Sequence, residues 1–169
     1  MIRSPKEKIK TLKELKDILE NVRDELPIIT TNGVYDLIHP GHIDTFYKAK
    51  SLGGILIVGV NSDESVKTYK TPNRPILNEN DRALIVASIG YVDLVTIFNE
   101  STPNKFLDIV KPKYHVKSKT GYLGLERDVV LSNGGGIVLV DDLEGYSSGK
   151  IVERAFEVYY KDHIRRDLN

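Results

Sequence analysis

Cysteine is absent from this chain of 169 residues, which excludes disulfides, iron–sulfur clusters and zinc sites built on thiolates. An excess of one charge is also lacking, because 24 basic residues balance 24 acidic ones, so the composition favours neither DNA, RNA nor an anionic membrane. No apolar run approaches the roughly eighteen residues of a membrane span, and no N-terminal apolar stretch is typical of a secretory signal. We therefore expect a cytoplasmic protein without nucleic-acid or membrane partners, which binds any anion at a local site.

Five short runs of apolar and β-branched residues alternate with stretches of helical periodicity. The runs lie near residues 26–30, 54–60, 93–98, 113–117 and 136–140. Several are almost continuously apolar, as in strands buried on both faces, and their alternation with helices predicts a doubly wound parallel α/β sheet. We expect a single Rossmann-like sheet of five strands in the order 3-2-1-4-5.

Capping signals predict where several helices begin. Asn78 precedes a helical stretch with acidic residues in its first turn, and Ser147 precedes a long one. Thr102 stands before Pro103, a pattern typical of an N-cap followed by proline at the first helical position.

Residues 1–25 are expected to form an N-terminal helical extension, and residues 26–169 the main domain. The extension has one amphipathic helical face, whose apolar residues are Leu12, Leu15, Ile18, Leu19 and Val22. This face can pack on the domain, or it can contact a second copy of the chain.

The segment T-N-G-V-Y-D-L-I-H-P-G-H at 31–42 directly follows the first predicted strand. In open α/β sheets, ligands bind beyond the carboxyl ends of the strands, where this segment is expected to lie. It is not a G-x-G-x-x-G fingerprint, and the chain contains no G-x-x-x-x-G-K-[ST] loop. A different device is needed if this crevice binds phosphates.

Two histidines at a helix start can supply that device. Gly33 lets a ligand approach the backbone, and Pro40-Gly41 begins a helix whose first amides are unpaired. The imidazoles of His39 and His42 can each donate a hydrogen bond to a phosphate oxygen. Two alternatives are a zinc site, which would need a further ligand such as Asp36 or His115, and a pair of solvated surface histidines.

The H-P-G-H segment resembles the H-x-G-H motif of the cytidylyltransferase-like nucleotidyltransferases, and in particular of the heptose 1-phosphate adenylyltransferases, often half of a bifunctional ADP-heptose synthase. The resemblance covers about residues 26–156 and keeps that family's order and spacing. The other matching segments are V-G-V-N-S-D-E-S-V-K at 58–67, N-R-P-I at 73–76, D-R at 81–82, V-D-L-V-T-I-F-N-E-S-T-P at 92–103, V-K-P-K at 110–113, V-K at 116–117 and E-G-Y-S-S at 144–148.

The resemblance implies transfer of AMP from ATP to a sugar 1-phosphate such as a heptose 1-phosphate, with release of pyrophosphate. The product would be an ADP-sugar, a precursor of lipopolysaccharide or another surface polysaccharide. The resemblance also implies Mg²⁺ carried by the triphosphate, no metal site of the protein's own, and a homodimer. A sugar phosphate is already nucleophilic at neutral pH, so catalysis would rest on alignment and charge neutralisation.

The resemblance also implies roles for individual residues. His39, His42 and Lys70 would be catalytic. The nucleotide would contact both histidines and Thr31, Asn32, Gly33, Tyr35, Gly41, Asp63, Lys117, Gly145, Tyr146, Ser147 and Ser148. The acceptor would contact Asp36, Arg74, Arg82, Ser118 and Lys119.

Local reasoning leaves several of these roles open. Lys70, Arg74 and Lys119 could be ordinary surface or loop residues. Asp63 and Ser147 could instead be helix N-caps. Arg82 could pair with nearby acidic residues rather than bind a phosphate.

One segment departs from the family pattern. Where V-K-G-G-D-Y is usual after the fourth strand, this chain has V-K-S-K-T-G-Y at 116–122, so it gains two side chains and loses an aspartate. The acceptor and the base are therefore open, and a cytidylyltransferase or FAD-synthase-like enzyme of the same family is the alternative. A non-catalytic nucleotide-binding module is a third possibility, against which the intact His39, His42 and Lys70 stand.

Overall fold

A five-stranded parallel sheet forms the centre of the computed structural model, which describes residues 4–71 and 73–160. In chain order the strands of these residues are β1 (Ile28–Gly33), β2 (Ile55–Asn61), β3 (Leu94–Phe98), β4 (Tyr114–Ser118) and β5 (Gly136–Val140). They lie in the order β3-β2-β1-β4-β5, and every neighbouring pair is parallel. The predicted sheet and strand order are confirmed.

Helices connect the strands and cover both faces of the sheet. They are α1 (Pro5–Lys8), α2 (Leu12–Val22), α3 (Pro40–Lys50), α4 (Asp63–Lys67), α5 (Glu79–Ala87), α6 (Asn104–Val110), α7 (Arg127–Ser132) and α8 (Ser148–Ala155), the last continuing as a π-helical turn over Phe156–Tyr160. Asn78 and Ser147 accept hydrogen bonds from first-turn amides of α5 and α8, which confirms both predicted caps. The cap predicted at Thr102 is wrong, because Pro103 is the N-cap residue of α6 and offers no side-chain acceptor.

Strand β1 reaches farther toward the site than its apolar residues indicated. Its pairing with β2 continues through Thr31, Asn32 and Gly33, which lie opposite Val58, Gly59 and Val60. Because β1 is the central strand, its carboxyl end faces the crevice where the chain crosses over in opposite directions. Thr31, Asn32 and Gly33 are therefore held in place by the hydrogen-bond ladder between β1 and β2, not by a loop.

Two apolar clusters explain why β2 is so continuously apolar. Leu56, Val58 and Val60 pack in the cluster that includes Phe46 of α3, while Ile57 packs in the cluster on the other face. The second face also needs a small residue, because a Cβ on Gly59 would lie 2.9 Å from the ring of Phe106. Burial on both faces fixes the strand and hence the position of the crevice.

The N-terminal helices pack against this domain. Leu15 and Leu19 of α2 are buried in the second cluster, and Ile9 forms a parallel bridge with Val95 of the edge strand β3. The apolar face of α2 is thus used within the chain, and the preceding segment covers a sheet edge. The boundary at residue 25 stays a prediction. Among the described residues, no helix is long and apolar enough to cross a membrane.

Candidate active site

The two histidines of the opening motif lie at the start of α3, beyond the carboxyl end of β1. His39 is the N-cap residue, and Pro40 begins the helix, where a missing amide costs no hydrogen bond. The rings of His39 and His42 are stacked, with centroids 3.8 Å apart and planes 25° from parallel. A Cβ on Gly41 would lie 3.0 Å from His39 Nδ1, so a larger residue here would press on the ring of His39.

Both imidazoles are uncharged at neutral pH. Burial lowers the pKa of His39, and burial together with the neighbouring His39 lowers the pKa of His42 to about 4. The Nδ1 atom of each ring is buried and has no hydrogen-bond partner among residues 4–71 and 73–160. We infer that Nε2 is the nitrogen each ring offers to a ligand, as a neutral hydrogen-bond donor or acceptor.

Tyr35 supports His42 from behind. Its backbone is left-handed, with φ of 54°, and its side chain is only 6% exposed. The ring meets His42 edge-on at a centroid distance of 5.2 Å, and burial raises the pKa of the phenol. A Cβ on Gly33 would lie 3.1 Å from this ring. The structure thus places Tyr35 as a support for His42, and Gly33 makes room for it.

A cavity of about 450 Å³, called the histidine cavity below, brings together residues that are far apart in the sequence. His42 of α3, Lys70 after α4, Arg74 before α5 and Ser148 of α8 all line it. Two cations, a hydroxyl and an uncharged imidazole therefore surround one space. Such a set of donors suits a phosphate chain.

Asp36, predicted to bind the acceptor, is instead engaged by the protein. The side chain is 4% exposed, and its carboxylate accepts hydrogen bonds from the amides of Ile76 and Leu77 at 2.9 Å. Arg74 Nη1 lies 3.7 Å from the same carboxylate. Asp36 therefore ties the segment that carries Arg74 to the end of β1, which positions one wall of the histidine cavity.

Arg82 and Asp63 also differ from their predicted roles. Arg82 is fully buried, and its guanidinium donates to Asp63 Oδ1 at 2.7 Å, to the Leu77 carbonyl at 3.0 Å and to the Val34 carbonyl. This geometry contradicts a direct contact of Arg82 with the acceptor. Oδ1 of Asp63, which was predicted to contact the nucleotide, is bound to Arg82 instead. The alternative N-cap role of Asp63 is wrong as well, because Ser62 caps α4.

A smaller cavity of about 170 Å³, the β4 cavity, lies between β1, α3 and β4. Thr31, Asn32, Gly33, His42, Lys117 and Ser118 are among its walls. Lys117 Nζ donates to the backbone and side-chain oxygens of Asn32 at 3.2 and 3.3 Å, and burial lowers the pKa of this lysine. The structure thus brings four predicted nucleotide residues next to the histidines, together with Ser118, which was predicted to bind the acceptor.

The altered segment after β4 is held by its own side chains. Ser118 Oγ accepts a hydrogen bond from the Gly121 amide at 3.1 Å. Lys119 pairs with Asp141 Oδ1 at 2.5 Å on the surface and lines neither of these two cavities. The predicted acceptor contact of Lys119 is therefore not supported by its position.

The turn before α8 reaches the site through its last residues only. Gly145 is left-handed, with φ of 88°, and Ser147 Oγ caps the helix. Gly145, Tyr146 and Ser147 line a separate surface cavity along α8. Ser148 enters the histidine cavity, where its hydroxyl also donates to the Leu37 carbonyl at 3.4 Å.

A third cavity, of about 650 Å³, adds residues that the sequence did not single out. This Lys117–Glu126 cavity is also lined by Asn32, Asn61 and Tyr69, and it shares Lys70 with the histidine cavity. Glu126 lies just before α7, where an acidic residue is common and usually solvated. The sequence around it therefore gave no indication of a functional role. Within the described residues, no group of three or more histidine or carboxylate side chains could hold a metal ion, which does not support the zinc interpretation.

The family profile described as cytidylyltransferase-like matches residues 30–154, the stretch that contains all three cavities. The chain belongs to the cytidylyltransferase-like family. The recognition made from the H-P-G-H segment is thereby confirmed.

Similar proteins of this family are larger than the present chain. Bifunctional protein HldE of Syntrophotalea carbinolica is 37% identical over 155 residues, which cover 90% of this chain and 32% of that protein. Bifunctional protein HldE of Helicobacter pylori strain P12 is 44% identical over 141 residues, which cover 83% of this chain and 30% of that protein. The chain thus spans about a third of the length of these relatives.

Two solved structures share the fold of this family member. A lipopolysaccharide core biosynthesis protein from Thermoplasma volcanium superimposes with a TM-score of 0.60 at 24% identity, over 70% of this chain and 99% of that one. A pantoate-beta-alanine ligase from Francisella tularensis gives 0.61 at 16% identity, over 89% of this chain and 78% of that one. At these identities the likeness shows the fold alone.

Proposed function

We propose that this chain transfers AMP from ATP to a sugar 1-phosphate of the heptose 1-phosphate type, forming an ADP-sugar and pyrophosphate. The observation that carries the proposal is the histidine cavity, where His42, Lys70, Arg74 and Ser148 converge beside the start of α3. Family membership and the similarity to bifunctional HldE proteins support it.

In this proposal the triphosphate lies across the N-terminus of α3. The first amides of the helix and Nε2 of His39 and His42 donate to phosphate oxygens. Lys70 and Ser148 bind the part that leaves as pyrophosphate, and Arg74 binds the acceptor phosphate. Thr31, Asn32, Gly33 and Lys117 contact the remainder of the nucleotide from the β4 cavity.

The reaction is a displacement at the α-phosphorus of ATP. An oxygen of the acceptor phosphate attacks that phosphorus, a new P–O bond forms, and the bond to the oxygen bridging toward the β-phosphate breaks. The electron pair leaves with pyrophosphate, and no proton has to be removed from the ionised acceptor. The protein therefore contributes alignment and stabilisation of developing charge rather than a strong base.

Mg²⁺ enters this scheme as part of the substrate, bound to ATP. The carboxylates of Asp36 and Asp63, which follow β1 and β2, are already engaged by backbone amides and by Arg82. Phosphate oxygens and water would therefore supply most of the ligands, as is usual for this ion. The chemistry that Mg²⁺ supplies is neutralisation of charge on the triphosphate.

A different acceptor for the same chemistry is the second candidate. The segment at 118–122 favours it, because Ser118 and Lys119 take up internal bonds where the family pattern has glycines. A cytidylyltransferase or an FAD-synthase-like enzyme would keep the roles of His39, His42 and Lys70 and change the acceptor. A module that binds nucleotides without turnover would keep the cavity and lack the reaction.

We also propose that the chain acts as a homodimer in the cytoplasm. Helix α8 has no buried residue, and the apolar side chains of Ile151, Val152, Phe156 and Tyr159 are exposed along it and the following turn. Such an uncovered face suits a contact with a second copy. Light scattering of the protein and of the variant Phe156→Glu tests this, since the proposal expects a dimer that the variant weakens.

The test of function is Mg²⁺-dependent release of pyrophosphate, with ATP, CTP and GTP each crossed against heptose 1-phosphates, glycerol 3-phosphate and FMN. We expect turnover with ATP and a heptose 1-phosphate only. Turnover with another pair would reassign the acceptor, and tight ATP binding without turnover by any pair would contradict an enzyme. His39→Ala and His42→Ala should each lose roughly a hundredfold or more in rate, whereas Lys16→Ala on the exposed side of α2 should not change it.

A further inference from the structure

Glu126 is a buried residue whose carboxylate has His115 and Lys117 as its only histidine or cationic neighbours within 4 Å among the described residues. The residue is 4% exposed, and the nearest charged or polar donors that face it are His115 Nε2 and Lys117 Nζ, both at 3.8 Å. These distances are too long for hydrogen bonds. An ionised carboxylate can accept about four hydrogen bonds, so Glu126 has acceptor capacity beyond these two neighbours.

The neighbours of Glu126 keep it ionised. Burial raises the pKa of this carboxyl, but His115, the backbone amide of Glu126 itself and Lys117 together lower the pKa below its ordinary value. Thr30 Oγ1 lies 2.8 Å from His115 Nδ1, and a carboxylate beside Nε2 favours the proton on Nε2. The Thr30 hydroxyl then donates to Nδ1, so a neutral His115 points an N–H toward Glu126. At neutral pH Glu126 is thus an acceptor only.

Glu126 lines the Lys117–Glu126 cavity. Its volume of about 650 Å³ suits a small polar ligand, and its walls combine the amides of Asn32 and Asn61 with the apolar surfaces of Tyr69, Leu123 and Leu125. The oxygens of a carboxylate and of side-chain amides can accept hydrogen bonds from several hydroxyl groups of one ligand. The C–H faces of a sugar ring pack on aromatic and apolar surfaces. The chemistry of the walls therefore fits a polyol.

The cavity also connects with the reacting groups. Lys70 lines both this cavity and the histidine cavity, and Lys117 lines both this cavity and the β4 cavity. A sugar phosphate whose phosphate binds Arg74 in the histidine cavity can extend past Lys70, which both cavities share, and place its hydroxyls beside Glu126. Lys117 Nζ lies 3.8 Å from the carboxylate, so its positive charge offsets the repulsion between Glu126 and a nearby phosphate.

We infer that Glu126 is a specificity-determining residue, which accepts hydrogen bonds from the hydroxyl groups of the acceptor in the Lys117–Glu126 cavity. The inference rests on the proposed function, because it names the part of the same site that recognises the sugar. It assigns Glu126 no contact with ATP and no part in bond making or breaking.

The first test is Glu126→Gln in the full chain, a change that keeps the shape and removes the charge. We expect kcat/KM for heptose 1-phosphate to fall roughly ten- to a hundredfold while KM for ATP stays unchanged. Asp128→Asn, two residues on and exposed, is the matched control and should change neither value. An unchanged acceptor kcat/KM, or an equal rise in KM for both substrates, would overturn the inference.

The second test separates recognition from mere support of Lys117. Singly deoxygenated analogues of the sugar 1-phosphate are compared in the wild type and in Glu126→Gln. A hydroxyl bound by Glu126 matters in the wild type and loses most of its effect in the variant, so the two changes are not additive. Additive effects for every hydroxyl would mean that Glu126 only positions its neighbours, and would overturn the inference.

Failure of the proposed function would be recognised separately. A wild-type protein that releases no pyrophosphate with any pair refutes the function, and calorimetric titration of wild type and Glu126→Gln with heptose 1-phosphate then tests the residue alone. Equal affinities, or no binding by the wild type, would overturn the inference. If Glu126→Gln does not fold, shown by thermal melting, Glu126→Asp replaces it and should show the same selective loss.

Discussion

Replacing Arg82 by methionine decides between two roles for this residue. The sequence suggested a contact with the acceptor phosphate, whereas the structure buries the guanidinium and connects it to Asp63, Leu77 and Val34. A buried connector stabilises the fold, and a ligand contact does not. The variant Arg82→Met keeps much of the length and removes every donor.

The expected loss of stability follows from the groups left behind. Without Arg82, the carbonyls of Val34 and Leu77 lose a charged donor, and Asp63 loses its cation. Breaking a buried ion pair typically costs about 3–5 kcal/mol. Water can reach Asp63, whose side chain is 30% exposed, so we place the loss near the lower end, at about 3–4 kcal/mol. Domains are stable by roughly 5–15 kcal/mol, so the variant should fold with little reserve.

Urea denaturation of wild type and variant measures this loss, and acceptor kinetics below the unfolding range measure the alternative. The exposed Arg127→Met is the control and should stay within about 0.5 kcal/mol of the wild type. A loss below about 1 kcal/mol for Arg82→Met, together with a raised acceptor KM, would refute the reasoning and restore the role that the sequence suggested.

The remaining predictions concern the histidine cavity. The pKa of His42 is about 4 in the folded protein, against 6.5 ordinarily. As pH falls from 6.5 to 4, the unfolded chain therefore binds a proton at this histidine before the folded protein does. The free energy of unfolding should fall by roughly 3 kcal/mol over this range because of His42. His42→Gln should lack this loss when unfolding free energies are compared between pH 7 and 4, and parallel profiles would contradict the burial of the ring. Gly33→Ala places a Cβ 3.1 Å from the ring of Tyr35, so we expect the free energy of unfolding, measured by thermal denaturation, to fall by about 1–3 kcal/mol and kcat to decrease. An unchanged kcat would show that the Tyr35 ring shifts without moving His42. Lys70→Met should lower kcat/KM for ATP by roughly a hundredfold without changing thermal stability. The control Lys67→Met should change neither quantity. If both variants lower kcat/KM equally, the effect comes from the loss of positive charge in general rather than from the position of Lys70.

Local patterns predicted the parts of the fold that local forces decide. The run G-I-L-I-V-G-V became β2 because both its faces are buried, and Asn78 and Ser147 cap helices because their side chains reach amides two or three residues away. The histidine pair was also predictable, since a glycine-containing turn between a strand and a helix is a local device. Thr102 was wrong because proline itself took the N-cap position.

Contacts between distant segments account for most of the differences. Asp36 binds amides 40 and 41 residues away, and Arg82 reaches a carbonyl 48 residues away. Nothing near Asp36 in the sequence indicates that its charge is used internally. Local reasoning did leave open an ion pair for Arg82, but its partner Asp63 lies 19 residues away. Glu126 was not predicted, because its neighbours in the sequence resemble the solvated start of a helix. In the structure the residue is buried against His115 and Lys117 of β4.

The stacked, uncharged histidines have a consequence for the last step of the proposed reaction, the release of pyrophosphate. Pyrophosphate carries several negative charges, and two imidazolium ions at 3.8 Å would hold it tightly after the bond has broken. Neutral rings donate hydrogen bonds that strengthen as charge develops on the leaving group and that solvent can replace once it has left. If the proposed reaction holds, the same burial that removes the charge from His42 would ease the departure of pyrophosphate, and product release is often the slow step of an efficient enzyme.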